Sequence, residues 1–199
     1  MKFVTGLLAA SFLLAAGAAS AQVLTPAETL GKGNDTFFLS ENHLFVDGDR
    51  LNIAYAGYMR GVTERADVYG YAGVTHIFGE DQVWLGIGGN VRLFRYKGFT
   101  VSSFNVLSTG LHRRSESSTV LWNTAAVVSR NLSQSVSVWS GVNALLPLGN
   151  REQGLFTPPD YEWNVPVGAS WLINDRFGVY GEVDFGHVTA VGVGLSIAN

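Results

Sequence analysis

Glu162-Trp163-Asn164-Val165-Pro166-Val167-Gly168-Ala169-Ser170-Trp171 decides how the rest of this chain is read. Trp163, Val165, Val167, Ala169 and Trp171 are apolar, and the residues between them are polar, small or turn-forming. After Ile173-Asn174-Asp175-Arg176 the alternation resumes, with Phe177, Val179, Gly181, Val183 and Phe185 against Gly178, Tyr180, Glu182 and Asp184. After Gly186-His187-Val188 it returns as Val191, Val193, Leu195 and Ile197 against Ala190, Gly192, Gly194 and Ser196. A period of two marks a β-strand with two unlike faces. Three adjacent strands of this kind pose one question: whether the apolar face points into a core or outward into lipid.

Composition narrows the answer. The chain has 199 residues, 47% hydrophobic but only 15% charged, well below the roughly one quarter usual for soluble domains. A net charge of -3 gives no electrostatic case for nucleic acid as a partner. Without cysteine there is no disulfide framework, thiol nucleophile or cysteine metal site. At the N-terminus, Lys2 precedes an apolar stretch from Phe3 to Ala18, and Ala19-Ser20-Ala21 supplies small residues before Gln22. This is the pattern of a secretory signal peptide, residues 1–21, cleaved after Ala21. Residues 22–33 read as a flexible leader, and 34–199 as one domain.

Outward from the opening stretch, Thr36–Val46 is apolar but alternates poorly and reads as a first strand, and alternation predicts strands over Leu51–Arg60, Asp67–Ile77, Val83–Phe94, Phe99–Leu111, Thr119–Val128 and Ser135–Leu146. Asp47-Gly48-Asp49-Arg50 is a tight hairpin signal, because Asp-Gly tolerates the positive φ angles of a primed turn. In the second strand Leu51, Ile53, Tyr55 and Met59 are assigned to the apolar face, and Asn52, Ala54, Ala56, Tyr58 and Arg60 to the other. Val83, Leu85, Ile87, Val91 and Leu93 form an apolar face, which puts Trp84 and Phe94 on the opposite one. A slip near Ser102-Ser103 predicts a bulge. Pro147 to Tyr161 is the longest connection. The count is ten strands, with eight as the alternative, in an all-β, up-and-down antiparallel barrel.

The polar faces are too poor in charge to be a soluble exterior. Gly86, Gly88, Gly168, Gly178, Gly192 and Gly194 suit the inner wall of a narrow barrel, where space is scarce. The apolar faces then meet lipid, and a sheet in lipid must close on itself to pair its backbone. Trp163 and Trp171, like Phe177 and Phe185, are eight residues apart on one face. Eight residues of a tilted strand climb on the order of 19 Å, close to the separation of two aromatic girdles.

The whole mature pattern resembles the small outer-membrane β-barrel proteins of Gram-negative bacteria. That resemblance implies an outer-membrane location, contact with outer-membrane lipids and with the assembly machinery, and termini in the periplasm. Connections such as Pro147–Tyr161 are then extracellular, and the extracellular ligand is not specified. The family pattern ends on an aromatic residue, and this chain departs from it with Leu195-Ser196-Ile197-Ala198-Asn199.

Chemistry is sparse. His43, His76, His112 and His187 have no metal-ligand spacing, and no metal or other cofactor is expected. Gly86-Ile87-Gly88-Gly89 lies mid-strand, away from any helix N-terminus that would make it a phosphate loop. A lipid-modifying enzyme would need a serine, a histidine and an orienting group facing the bilayer, and Ser115 or Ser117 with His112 is the nearest grouping. A soluble secreted ligand-binding barrel is a further alternative. The leading expectation is a non-enzymatic barrel with a structural, adhesive or weak pore role. Its inner charges are Glu162, Glu182 and Asp184 towards the outside and Arg60 and Arg92 towards the periplasm. They predict an ion-pair plug or a gate, with about 10 Å of strand between the acids and the bases.

Overall fold

A computed structural model of the chain describes residues 27–46, 49–77, 80–112, 118–148, 162–186 and 189–199. The signal peptide, the Asp47-Gly48 turn, Ser115, Ser117, His187 and most of the 147–161 connection lie outside them. Ten strands follow one another: β1 (Asp35–Val46), β2 (Asp49–Thr63), β3 (Ala66–Ile77), β4 (Glu80–Tyr96), β5 (Phe99–His112), β6 (Ser118–Asn131), β7 (Val136–Leu148), β8 (Glu162–Leu172), β9 (Phe177–Gly186) and β10 (Thr189–Ala198). Each pairs antiparallel with its sequence neighbours, and β1 pairs with β10, closing the sheet into an up-and-down barrel. Closure leaves no edge strand, so the backbone ladder needs no water. Among the described residues no helix is long and apolar enough to cross a membrane.

The outer face is apolar. Leu39, Val74, Leu85, Ile87, Val142, Val167 and Leu195 are all exposed there. The four aromatics Trp163, Trp171, Phe177 and Phe185 are exposed too, Trp163 at 58% and Phe177 at 48%. Ile87 reaches 68% exposure. A contiguous apolar exterior of this extent would aggregate in water, whereas in hydrocarbon it is the stable arrangement.

The interior is packed with large side chains. Phe38, Tyr55, Met59, Tyr69, Phe104 and Trp139 form one buried cluster. Trp84, Leu121 and Leu145 form a second, towards the end of the barrel away from the chain termini. Several inner aromatics lie across a glycine of the adjacent strand. A Cβ on Gly168 would stand 2.3 Å from the Trp139 ring, and one on Gly194 would stand 2.1 Å from the Tyr180 ring. Gly86 meets Tyr71 in the same way. Inner glycines therefore seat the aromatic rings of their neighbours, which is more specific than sparing space.

Three expectations need correction. In β2 the inner face is Ile53, Tyr55 and Met59, because Tyr55 stands opposite Ser40 of β1 and Gly73 of β3, both inward. Asn52, Ala54, Ala56, Tyr58 and Arg60 are accordingly the outer set. The bulge predicted at Ser102-Ser103 falls on the partner strand instead. Leu93 is the extra residue, since Arg92 pairs with Ser102 and Phe94 with Val101. One inserted residue reverses every later side chain. Phe94 is therefore exposed on the outside, while Trp84, ahead of the bulge, is buried inside.

The third concerns the leader. Residues 22–26 lie outside the described residues, but from Ala27 onward the segment is docked rather than free. Ala27 is fully buried in the inner cluster, and its carbonyl accepts from the Ser102 hydroxyl. The Leu30 amide donates to the Asp67 carboxylate at 3.1 Å, and the Thr29 hydroxyl donates to the Glu64 carbonyl at 3.0 Å. Gly31 and Gly33 have φ values of 83° and 87°, which only glycine adopts without cost. They turn the chain into β1, where Gly33 N donates to Gly61 O at 2.9 Å.

Candidate functional site: the occluded lumen

The lumen is built in layers along the strands. At the end carrying both termini, residues 27–34 fill part of the mouth. Glu28 is the hub there. It forms ion pairs with Arg92 at 3.8 Å and with Arg95, and it accepts from the Thr100 hydroxyl. Arg92 also donates to the Glu64 carbonyl at 2.6 Å. Beside the segment remains a cavity of about 310 Å³, lined by Glu28, Leu30, Met59, Arg176, Tyr180 and others.

Above it sits the aromatic layer. Phe104 and Tyr69 have ring centroids 6.0 Å apart, and Tyr55 contacts Phe38 at 6.4 Å and Tyr71 at 5.4 Å. Trp139 closes the other side and donates from Nε1 to Glu182 Oε2 at 2.6 Å. Glu182 and Asp184 occupy successive inward positions of β9, at 6% and 1% exposure. Inward asparagines accompany them, with Asn42, Asn123, Asn143 and Asn164 all buried.

The expected lumen charges thus separate into three groups. Glu182 and Asp184 face the interior. Arg92 also faces the interior but belongs to the terminal end, where Glu28 holds it. Arg60 does not face the lumen. Its side chain is 54% exposed on the outer surface, 3.7 Å from Asp35 and within reach of the Tyr58 hydroxyl. It is a rim residue, because the parity of β2 is opposite to the one its sequence suggested. The side chain of Glu162 lies outside what the structure describes, although its backbone pairs with Leu145. Among the described residues, Glu182 and Asp184 therefore form no ion pair with Arg60 or Arg92. Replacing Arg60 by Ala is expected to cost no more than about 1 kcal/mol in urea unfolding from lipid vesicles, as for other exposed ion pairs. A loss several times larger would return Arg60 to the interior.

Two features were absent from the sequence reading: the Glu28–Asp67 anchorage and the asparagine set. The second had a signal. Asn123, Asn143 and Asn164 each stand at an inner position of a strand whose outer face is largely apolar. On the outer surface, His43 Nδ1 contacts Asn52 Oδ1.

No family model matches the sequence, and no curated protein matches it. Solved structures do. An outer membrane channel from Pseudomonas putida F1 superposes with a TM-score of 0.56 at 9% identity, covering 87% of this chain and 98% of that one. The translocator domain of the autotransporter NalP from Neisseria meningitidis gives 0.51 at 10% identity, covering 84% and 88%. The KdgM porin gives 0.47 at 10% identity, covering 80% and 98%. At such identities the likeness concerns fold alone. With its closed ten-strand meander and apolar exterior, the chain has the fold of the small outer-membrane β-barrel proteins.

Proposed function

We propose that this chain is an integral outer-membrane barrel, oriented with its termini in the periplasm. Its lumen is held shut by its own side chains and by residues 27–34. It acts as a structural or low-conductance barrel rather than an open diffusion pore or an enzyme. The observation that carries this reading is the docked segment. Glu28, bound to Arg92, Arg95 and Thr100, fastens it across the mouth beneath an aromatic layer. A segment of this kind is a two-state element. Removing its charged anchor costs about 1–3 kcal/mol, which raises the undocked population roughly 5- to 150-fold.

Planar-bilayer recording tests it. Wild-type protein is expected to be nearly silent. Glu28→Ala is expected to show small, brief ionic steps at least about tenfold more often, still limited by the aromatic layer. Steady large conductance in the wild type would sink the closed-lumen reading.

A further inference from the structure

We propose that the outer wall formed by β4, β5 and β6 is the contact face for a second copy of this chain, paired about a twofold axis through Asn105. The pairing rests on the lipid-facing placement of this wall and not on the docked segment, so it is independent of the conductance result.

Alternation along β5 puts Phe99, Val101, Ser103, Asn105 and Leu107 on the outer face. Asn105 is exposed there. From Phe99 to Asn105 a strand tilted near 45° climbs about 14 Å, close to the middle of a roughly 25 Å apolar band. The Asn105 amide donates from Nδ2 to Ser103 Oγ at 3.1 Å, its one side-chain hydrogen bond among the described residues. Every residue opposite or diagonal to it on β4 and β6 is described, and none supplies a further partner. One amide N–H and the carbonyl oxygen are left facing the surroundings of the barrel. In hydrocarbon such groups are costly, because no water is there to take them up.

A second Asn105 is the partner whose chemistry fits. An acyl chain offers neither donor nor acceptor, whereas a carboxamide offers both. Two barrels inserted the same way round meet about a twofold axis along the membrane normal, so equal depths face each other. Each Asn105 then donates its free N–H to the carbonyl oxygen of the other, and one residue type closes two hydrogen bonds. The relief of the wall permits the approach. Gly89 and Thr124 stand directly opposite Asn105, and Ala126 opposite Ser103. Above these small side chains runs a cross-strand row of larger ones, Ile87, Leu107 and Trp122, all exposed. Small residues let membrane-embedded surfaces approach closely, and polar side chains between them hydrogen-bond across the contact.

Energy transfer between labelled copies tests the contact. The chain has no cysteine, so one added after Asn199 takes a donor or an acceptor dye, and the two populations are folded together into phosphatidylcholine vesicles. Wild-type transfer is expected to exceed random proximity and to saturate as the protein-to-lipid ratio rises. Asn105→Leu should weaken association roughly 5- to 30-fold, the loss of the paired carboxamides. Ala126→Phe, which leaves Asn105 and Ser103 intact, should weaken it as well by filling the depression. Glu41→Gln, on β1 four strands away around the closed ring, should change nothing. Both apolar substitutions point outward, so the barrel still folds, and heat-modifiable migration checks this for each variant. Protein released from the vesicles by a carbonate wash would sink the membrane reading and this pairing with it. Inserted wild type without saturable transfer overturns the pairing alone and leaves the face to lipid or to a different membrane chain. Unaltered association in Asn105→Leu and Ala126→Phe, or a loss confined to Glu41→Gln, overturns it too.

Discussion

Ile87→Arg is expected to destabilise the barrel in lipid vesicles by about 2–4 kcal/mol, the cost of a guanidinium at the bilayer midplane. Ile87 is 68% exposed near the middle of β4, which runs Glu80–Tyr96, and its register partners are Gly70 and Leu107. Most of its side chain faces the surroundings of the barrel, so the substitution disturbs little packing. In water the same change would fall within about 0.5 kcal/mol of neutral, as surface substitutions do. The experiment therefore reads the medium around the barrel and not its packing. Depth supplies the control. Val62 is exposed in the β2 bulge beside the Glu64-Arg65 turn, and Val62→Arg should cost only about 0–1 kcal/mol near the interface. Equal, small effects at both positions would favour a soluble barrel. Reversible urea unfolding from vesicles, followed by tryptophan emission, measures both.

Why the outer face was legible in β8 to β10 and not in β2 follows from what alternation contains. Alternation identifies two faces, and only composition says which is outside. In β9 the two sets differ sharply: Phe177, Val179, Val183 and Phe185 against Glu182 and Asp184. In β2 they do not. Tyr55 and Met59 are apolar enough for lipid yet well shaped for a lumen, and Ala54 and Ala56 serve on either side. Pairing with Ser40 and Gly73 settles the matter, and pairing is non-local. Arg60 was misplaced by that inversion alone. Phe94 was misplaced by one inserted residue, Leu93, which has no local signature.

The docked segment shows a different limit. Gln22 to Gly33 has the polar, glycine-containing composition of a free leader, and nothing within it announces burial. Its anchors are distant: Ala27 meets Ser102, Glu28 meets Arg95 and Thr100, and Leu30 meets Asp67. The same reasoning separates the two acids of β9 from the arginine once set against them. The sequence reading set Arg92 about 10 Å along the strands from Glu182 and Asp184, as one half of an ion-pair plug or gate. The structure gives Arg92 a nearer acid, Glu28, on a segment read as free. What stayed hidden was the true partner of Glu182, an indole from β7 with no charge to advertise it.

That indole predicts the largest loss. Trp139→Ala is expected to destabilise the barrel by roughly 3–5 kcal/mol through the cavity alone, because the ring is 3% exposed and seated on Gly168. It also strips Glu182 of its 2.6 Å donor, which adds the penalty of a buried acceptor left unmade, about 1–3 kcal/mol. The two contributions separate by design. Trp139→Phe keeps most of the ring volume and removes only the N–H, so its cost should be close to the second figure. Adding Glu182→Gln to Trp139→Phe removes the charge that lost its donor. The double variant should then be more stable than the sum of the singles by about 0.5–3 kcal/mol, as expected for residues in direct contact. A cycle that closes on zero would show the indole to be a wall-filling side chain with no electrostatic role. A Trp139→Phe variant as stable as wild type, with a full loss in Trp139→Ala, would point the same way. Coupling of the expected size would make Trp139 the residue that lets a narrow, lipid-embedded barrel keep a buried carboxylate at its centre.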